Sequence, residues 1–137
     1  MTNASDIRRG RSCVSALHVH LVFVAKCRRH VFDGRAIETL RNIFTKVCTD
    51  FEAELRACDG EDDHVHLLIE YPPKVAISTL VNSLKGVSSR LLRQARPDIA
   101  HRYWKGVLWS PSYFAASCGG APLSIVRQYV EQQRTPD

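Results

Sequence analysis

The order of apolar patterns along this chain predicts an α+β fold of the ferredoxin-like kind, β-α-β-β-α-β, with one helix added at the C-terminus. Such a fold is an antiparallel sheet carrying two helices on one face. Two observations predict it. Two long stretches repeat apolar residues at helical spacing, and shorter runs of strand-like composition flank each of them. Glycine or proline then stands at the boundaries between these stretches, where the chain must turn.

Residues 17–26 (LHVHLVFVAK) are dense in β-branched and apolar side chains and read as the first strand. Ile37, Leu40, Phe44, Val47 and Phe51 recur at spacings of three and four, so 35–51 reads as an amphipathic helix. A short strand over 53–58 follows. Gly60 marks the turn into a third strand, Asp62-Asp63-His64-Val65-His66-Leu67-Leu68-Ile69-Glu70, which Pro72-Pro73 stops. Ile77, Leu80, Val81, Leu84, Val87 and Leu91 give a second helix over 75–94, ended by Pro97. Residues 107–118 read as an irregular strand rich in aromatics. Gly119-Gly120 breaks the chain, Pro122 stands where a first-turn proline is tolerated, and Leu123, Val126 and Val130 mark a final short helix. In this topology the first and third strands are central neighbours, which puts the histidine strand in mid-sheet.

At 137 residues the chain is expected to form one domain, 1–137, long enough to bury a core. No apolar run approaches the length that spans a bilayer, and the N-terminus lacks a signal-peptide core, so a cytoplasmic protein with no membrane partner is expected. Five scattered cysteines (Cys13, Cys27, Cys48, Cys58, Cys118) with no Cys-x-x-Cys pair argue against a disulfide framework or a thiolate zinc site; reduced, mostly buried thiols are expected. The net charge is +5, unevenly spread. Arg8, Arg9, Arg11, Lys26, Arg28, Arg29 and Arg35 crowd the first quarter, while acids gather at 50–54 and 59–63, next to His64 and His66. A basic surface around a locally acidic pocket suits phosphodiester chemistry.

Strand side chains alternate between faces, so His64 and His66 share one face while Val65, Leu67 and Ile69 enter the core. Two neutral histidines beside acidic residues form most of a divalent-metal site. The same pattern occurs at His18-Val19-His20, so alternation alone does not identify the site, and in isolation a surface histidine pair is the more ordinary meaning of either copy. Acidity separates them. Asp62, Asp63 and Glu70 flank His64 and His66, whereas basic residues surround the first pair. The site is therefore assigned to His64 and His66, and His20 to the core or to support of a ligand through a hydrogen bond.

On the last helix Tyr129 and Gln133 are four residues apart and share a face. Taken singly they are an amphipathic core residue and a solvated helix end. Beside a metal pocket they become a phenolic nucleophile and a carbonyl ligand. Lys85, Ser89 and Arg93 line one face of the second helix, either a solvated polar face or, with Arg28 and Arg29, a surface for phosphates. If that surface holds nucleic acid, Trp109 or Tyr113 is the aromatic that stacks on an unpaired base.

His64-Val65-His66, taken with Gly119-Gly120-Ala121-Pro122-Leu123 and Arg127-Gln128-Tyr129-Val130-Glu131-Gln132-Gln133, closely resembles the single-tyrosine HUH transposases of the insertion sequence 200/605 family. The resemblance runs over nearly the whole chain, through His20-Leu21-Val22-Phe23, Lys26-Cys27-Arg28-Arg29, Leu84-Lys85-Gly86-Val87-Ser88-Ser89-Arg90 and Leu108-Trp109-Ser110-Pro111-Ser112-Tyr113-Phe114; Phe23 and Cys27 depart from the family's aromatic pattern. It implies an enzyme that cuts and rejoins single-stranded DNA at hairpin element ends without ATP. By the same resemblance His64, His66 and Gln133 hold Mg²⁺ or Mn²⁺, and Tyr129 attacks phosphorus to leave a free 3′-OH and a 5′-phosphotyrosine. It further implies a homodimer in which residues 118–137, a glycine hinge and the tyrosine-bearing helix, reach the partner subunit's histidines in a trans active site.

Three other readings compete. A nucleotide hydrolase of the histidine-triad type needs a third alternating histidine, and position 68 is Leu68 (position 22, in the other copy, is Val22). A non-catalytic module binding single-stranded nucleic acid would have no use for Tyr129. A relative that nicks DNA at repeats or origins shares the chemistry, and the short chain favours the transposase over it.

Overall fold

In the computed structural model, which describes residues 8–9, 14–15, 17–102, 106–117 and 123–133, a two-residue antiparallel pair, β1 (Arg8–Arg9) and β2 (Val14–Ser15), precedes the main body. The chain continues through β3 (His18–Val24), α1 (Gly34–Asp50), β4 (Glu54–Gly60), β5 (His64–Glu70), α2 (Ile77–Ala95), a four-residue α3 (Pro97–Ala100), β6 (Phe114–Ser117) and α4 (Leu123–Glu131). The main sheet has the order β4-β5-β3-β6 with every neighbouring pair antiparallel. This is the ferredoxin-like arrangement, with β3 and β5 central as the sequence predicts.

The sheet is two-sided. Val19, Leu21 and Phe23 of β3 alternate onto one face with Val65, Leu67 and Ile69 of β5, and all six are buried. There they meet the apolar stripes of α1 (Leu40, Phe44, Val47) and α2 (Leu80, Leu84, Leu92). Leu84 is 0% exposed, and Leu84→Ala is expected to cost about 2–5 kcal/mol in transfer and cavity energy. The opposite face carries the histidines together with Val22 and Val24. It is covered by α4, whose Val130 packs on those two valines with Phe114 and Tyr129 alongside.

Local chemistry sets the element ends. The Asp33 carboxylate accepts from the Ala36 amide at 2.8 Å, so α1 starts one residue before the expected 35. Gly60 ends β4 rather than forming the turn. A Cβ there would collide with the His64 carbonyl, so glycine lets β4 run close beside the start of β5. Pro97 does stop α2, and then occupies the first turn of α3. The strand expected over 107–118 is shorter, Phe114–Ser117. Ahead of it, Lys26 N–H donates to Leu108 O and Ser110 N–H to Val24 O, both at 2.8 Å, and Pro111, which has no N–H, ends this pairing. The expected break at Gly119-Gly120 and Pro122 lies outside the described residues, as do Cys13 and Cys118. Cys27, Cys48 and Cys58 are free thiols, and burial pushes Cys48 up to about 12 and Cys58 to about 11. Among the described residues no helix is long and apolar enough to cross a membrane.

Candidate active site

His64 opens β5 directly after the turn at 61–63, and His66 follows on the same face. Asp63 Oδ1 lies 2.7 Å from His64 Nδ1. An ionised carboxylate only accepts, so His64 Nδ1 carries a proton and donates it, and Nε2 is the nitrogen left to meet a ligand. Burial opposes the charge on Asp63, but hydrogen bonds from His64 and Arg28 outweigh it and hold the carboxyl below its usual range. His64 Nε2 lies 3.0 Å from His66 Nε2, and His66 Nδ1 lies 3.3 Å from His20 Nε2, with the His20 and His66 rings stacked 5.5 Å apart. Burial, then the neighbouring His64 and His20, push His66 down to about 4, so it is neutral near pH 7 and free to act as a ligand.

Two ring nitrogens facing each other at 3.0 Å need a proton or a cation between them. The donor set fits a divalent ion. Both Nε2 atoms converge, and both Nδ1 atoms are already engaged, by Asp63 and by His20. Glu61, Asp63 and His64 also offer ligand atoms within 4.8 Å of one another. In that second group the Asp63 carboxylate is already engaged by both Arg28 and His64, so the two converging Nε2 atoms are the better seat. The histidines line a cleft of about 380 Å³ walled by Arg28, Glu61, Arg127 and Glu131.

Tyr129 and Gln133 do not line that cleft. Tyr129 is on α4, but Gln133, expected on the same helix, lies in the turn just after it, and both face the segment before β6. The Gln133 Oε1 accepts from Ser110 Oγ at 3.0 Å and Ser112 Oγ at 3.1 Å, while the Tyr129 hydroxyl lies 2.8 Å from Ser112 Oγ. Ser112 has one proton and gives it to Gln133, so Tyr129 is the donor in its own hydrogen bond and is held as a neutral phenol. Burial raises its pKa, with Ser112 acting weakly the other way. Ser110 and Ser112 were not singled out in the sequence; nothing in a Ser-Pro-Ser run marks it as a dock for a distant helix.

The expected DNA contacts divide. Trp109 is withdrawn from the base-stacking set, because its ring is 3% exposed among Phe23, Phe32 and Phe44 and its indole N–H donates to Ser88 Oγ at 2.9 Å. Tyr113 is half-buried against the core. Lys85 is not a free cation on a helix face. Its ammonium donates to the carbonyls of Ser110 at 2.6 Å and Ser112 at 3.1 Å and sits over the Phe23 ring, and burial lowers its pKa. Ser89 Oγ donates to Gly106 O at 3.3 Å and accepts from Arg93 Nε at 3.4 Å, so both tie α2 to the segment at Gly106. Arg28 donates to Asp63 Oδ2 at 3.0 Å, and Arg29 is part-exposed beside it. Glu70, counted in the sequence as a neighbour of His64 and His66, instead stands opposite His18 in the register, 3.8 Å from its Nε2.

The ferredoxin-like sheet, with its histidine pair on the face that α4 crosses, belongs to a class of DNA-cleaving enzymes: this chain is a member of the IS200-like transposase family, whose sequence model matches residues 13–133. It is similar to the ISDra2 transposase TnpA of Deinococcus radiodurans, 31% identical over 128 residues, 93% of this chain and 91% of that protein. It is 30% identical over 118 residues to the transposase for insertion sequence element IS200 of Salmonella typhimurium, 86% of this chain and 77% of that protein. The crystal structure of a candidate transposase from Deinococcus radiodurans R1 superposes with a TM-score of 0.86 at 32% identity, over 94% of this chain and 99% of that one. A REP-associated tyrosine transposase bound to a REP hairpin shares the fold, with a TM-score of 0.55 at 17% identity over 90% of this chain and 68% of that one.

Proposed function

We propose that this transposase cleaves and rejoins single-stranded DNA at hairpin element ends through a 5′-phosphotyrosine on Tyr129, at a site where His64, His66 and Gln133 hold Mg²⁺ or Mn²⁺. The observation that carries the reading is the pair of converging Nε2 atoms at 3.0 Å with both Nδ1 atoms already engaged. A bound cation would polarise a non-bridging oxygen of the scissile phosphate and favour the ionised phenol. The Tyr129 oxygen loses its proton and forms a bond to phosphorus; the bond from phosphorus to the 3′ oxygen breaks, and that oxygen takes up a proton as a free 3′-OH. A different 3′-OH attacking the phosphotyrosine reverses the exchange, restoring the phenol and making a new phosphodiester. Bond count is conserved in each direction, so no ATP is needed.

The orientation of α4 supports composite sites in a homodimer. It offers Arg127, Val130 and Glu131 to its own histidine cleft and turns Tyr129 and Gln133 toward Ser110 and Ser112. The nucleophile therefore meets histidines after α4 moves or by serving a partner subunit. Arg29 is the contact we assign to phosphates, with Ser89 and Arg93 at the margin; Arg28 is already engaged by Asp63. The test is to incubate the protein with labelled single-stranded DNA carrying the ends of its element and Mg²⁺. A denaturation-resistant adduct that disappears in Tyr129→Phe is expected, and an adduct that survives in that variant refutes the assignment. Mixing Tyr129→Phe with His64→Ala subunits is expected to restore one working site per heterodimer.

A further inference from the structure

The residues that hold His64 in place are themselves held by an unusual piece of backbone. Between β3 and α1 the chain makes a single 3-10 turn at Lys26–Arg28, in which Cys27 (φ 58°) and Arg28 (φ 55°) are both left-handed. Neither is glycine, and for residues with a Cβ two consecutive left-handed positions carry a backbone cost that persists only where surrounding contacts enforce it. Those contacts are present. Arg28 N–H donates to Ala25 O at 2.7 Å, Ala25 N–H to Asp63 O at 2.9 Å, and the Val31 and Phe32 amides both donate to Asp62 O at 2.9 Å. The strained turn is thus strapped to the backbone of the residues just before His64. It delivers the Arg28 guanidinium to Asp63 Oδ2 at 3.0 Å, with the other carboxylate oxygen on His64 Nδ1 at 2.7 Å.

We propose that Arg28 is a positioning residue of the metal site, acting through Asp63 on His64, rather than principally a contact to DNA phosphate. The chain Arg28–Asp63–His64 fixes which nitrogen of His64 carries the proton and aims the other at His66. Asp63 is 4% exposed, so without the guanidinium it is a buried carboxylate with one oxygen unpaired, free to turn toward the cleft. The inference rests on the reading of His64 and His66 as ligands.

The sign of the effect separates this role from electrostatics. A positive group beside a cation site repels the cation, so on charge alone removing Arg28 strengthens metal binding. Positioning predicts the reverse. The experiment is Mn²⁺ binding by electron paramagnetic resonance on the full chain with no DNA present, where a phosphate contact has nothing to do. Arg28→Gly relieves the left-handed backbone and removes the guanidinium; Cys27→Gly relieves the neighbouring position and leaves the guanidinium in place. Expected is a Kd for Mn²⁺ raised about 10- to 100-fold in Arg28→Gly, with a thermal midpoint no lower than that of the parent, and an unchanged Kd in Cys27→Gly. Asp63→Asn is expected to weaken Mn²⁺ binding as well, and Arg28→Gly added to it to cause no further loss. Unchanged or tighter binding in Arg28→Gly overturns the proposal, as does full additivity of the two substitutions. His64→Ala is run beside them: if the parent and His64→Ala bind Mn²⁺ alike, it is the ligand reading itself that fails.

Discussion

His18 and His20 stand on β3, His64 and His66 on the adjacent β5, and all four rings face the same side of the sheet. The two copies of one motif differ in what surrounds them. His18 lies 3.8 Å from Glu70, a carboxylate that Arg56 also approaches at 3.4 Å, and His20 is stacked on His66. His64 has a buried carboxylate on Nδ1 and His66 has His20 on Nδ1, so only this pair turns both Nε2 atoms to one point. Alternation places rings; the groups behind them decide which nitrogen is offered. On the function proposed above, one pair is the ligand set and half of the other is its support.

The largest expected difference between the copies is in cleavage. His64→Ala or His66→Ala is expected to lower single-strand cleavage by at least about a thousandfold, the several kcal/mol of charge stabilisation that a bound cation supplies. His18→Ala is expected to cleave within a few-fold of the parent, and equal losses at the two sites would erase the distinction. Next in size is His20. If it supports His66, His20→Phe keeps ring packing but loses the hydrogen bond, and its Mn²⁺ affinity is expected to fall about 10- to 100-fold by titration.

A third contrast concerns the other half of the site. Tyr129 and Gln133 rest on Ser110 and Ser112, whose carbonyls Lys85 holds. Lys85→Met leaves those carbonyls without their charged donor, and urea unfolding is expected to show a loss of roughly 1–3 kcal/mol. A variant of parental stability that instead binds single-stranded DNA weakly would return Lys85 to the phosphate surface. The smallest effect is that of pH. His66 titrates near 4 when folded, against an ordinary 6.5, so the unfolded chain takes up the proton more readily. That contribution to stability is complete above pH 6.5 and is lost as pH falls from there through about 4. The thermal midpoint is expected to drop across that window in the parent and to drop less in His66→Gln.

Much of this was legible in the residues. Apolar spacing places α1, α2 and the central strands because burial on one face is a local, periodic demand. The Asp63-His64 dipeptide carries its own hydrogen bond, so that acidic neighbour is legible in the sequence, whereas Glu70 belongs to His18. What the residues hid are contacts between distant segments. Trp109 reads as an aromatic in an irregular strand until Ser88, on α2, supplies the acceptor that lets its indole sit in the core. Lys85 reads as a polar-face cation until the carbonyls at 110 and 112 arrive beneath it. The left-handed turn at Cys27 and Arg28 contradicts what their side chains prefer, and only the strap to Asp62 and Asp63 explains it.

The central claim is that the ion seat lies between the Nε2 atoms of His64 and His66. Anomalous scattering from crystals soaked in Mn²⁺ locates the ion directly. The expected result is a single strong peak within bonding distance of both Nε2 atoms. A peak held by Glu61 and Asp63 without His66, or one beside His18 and Glu70, would contradict it.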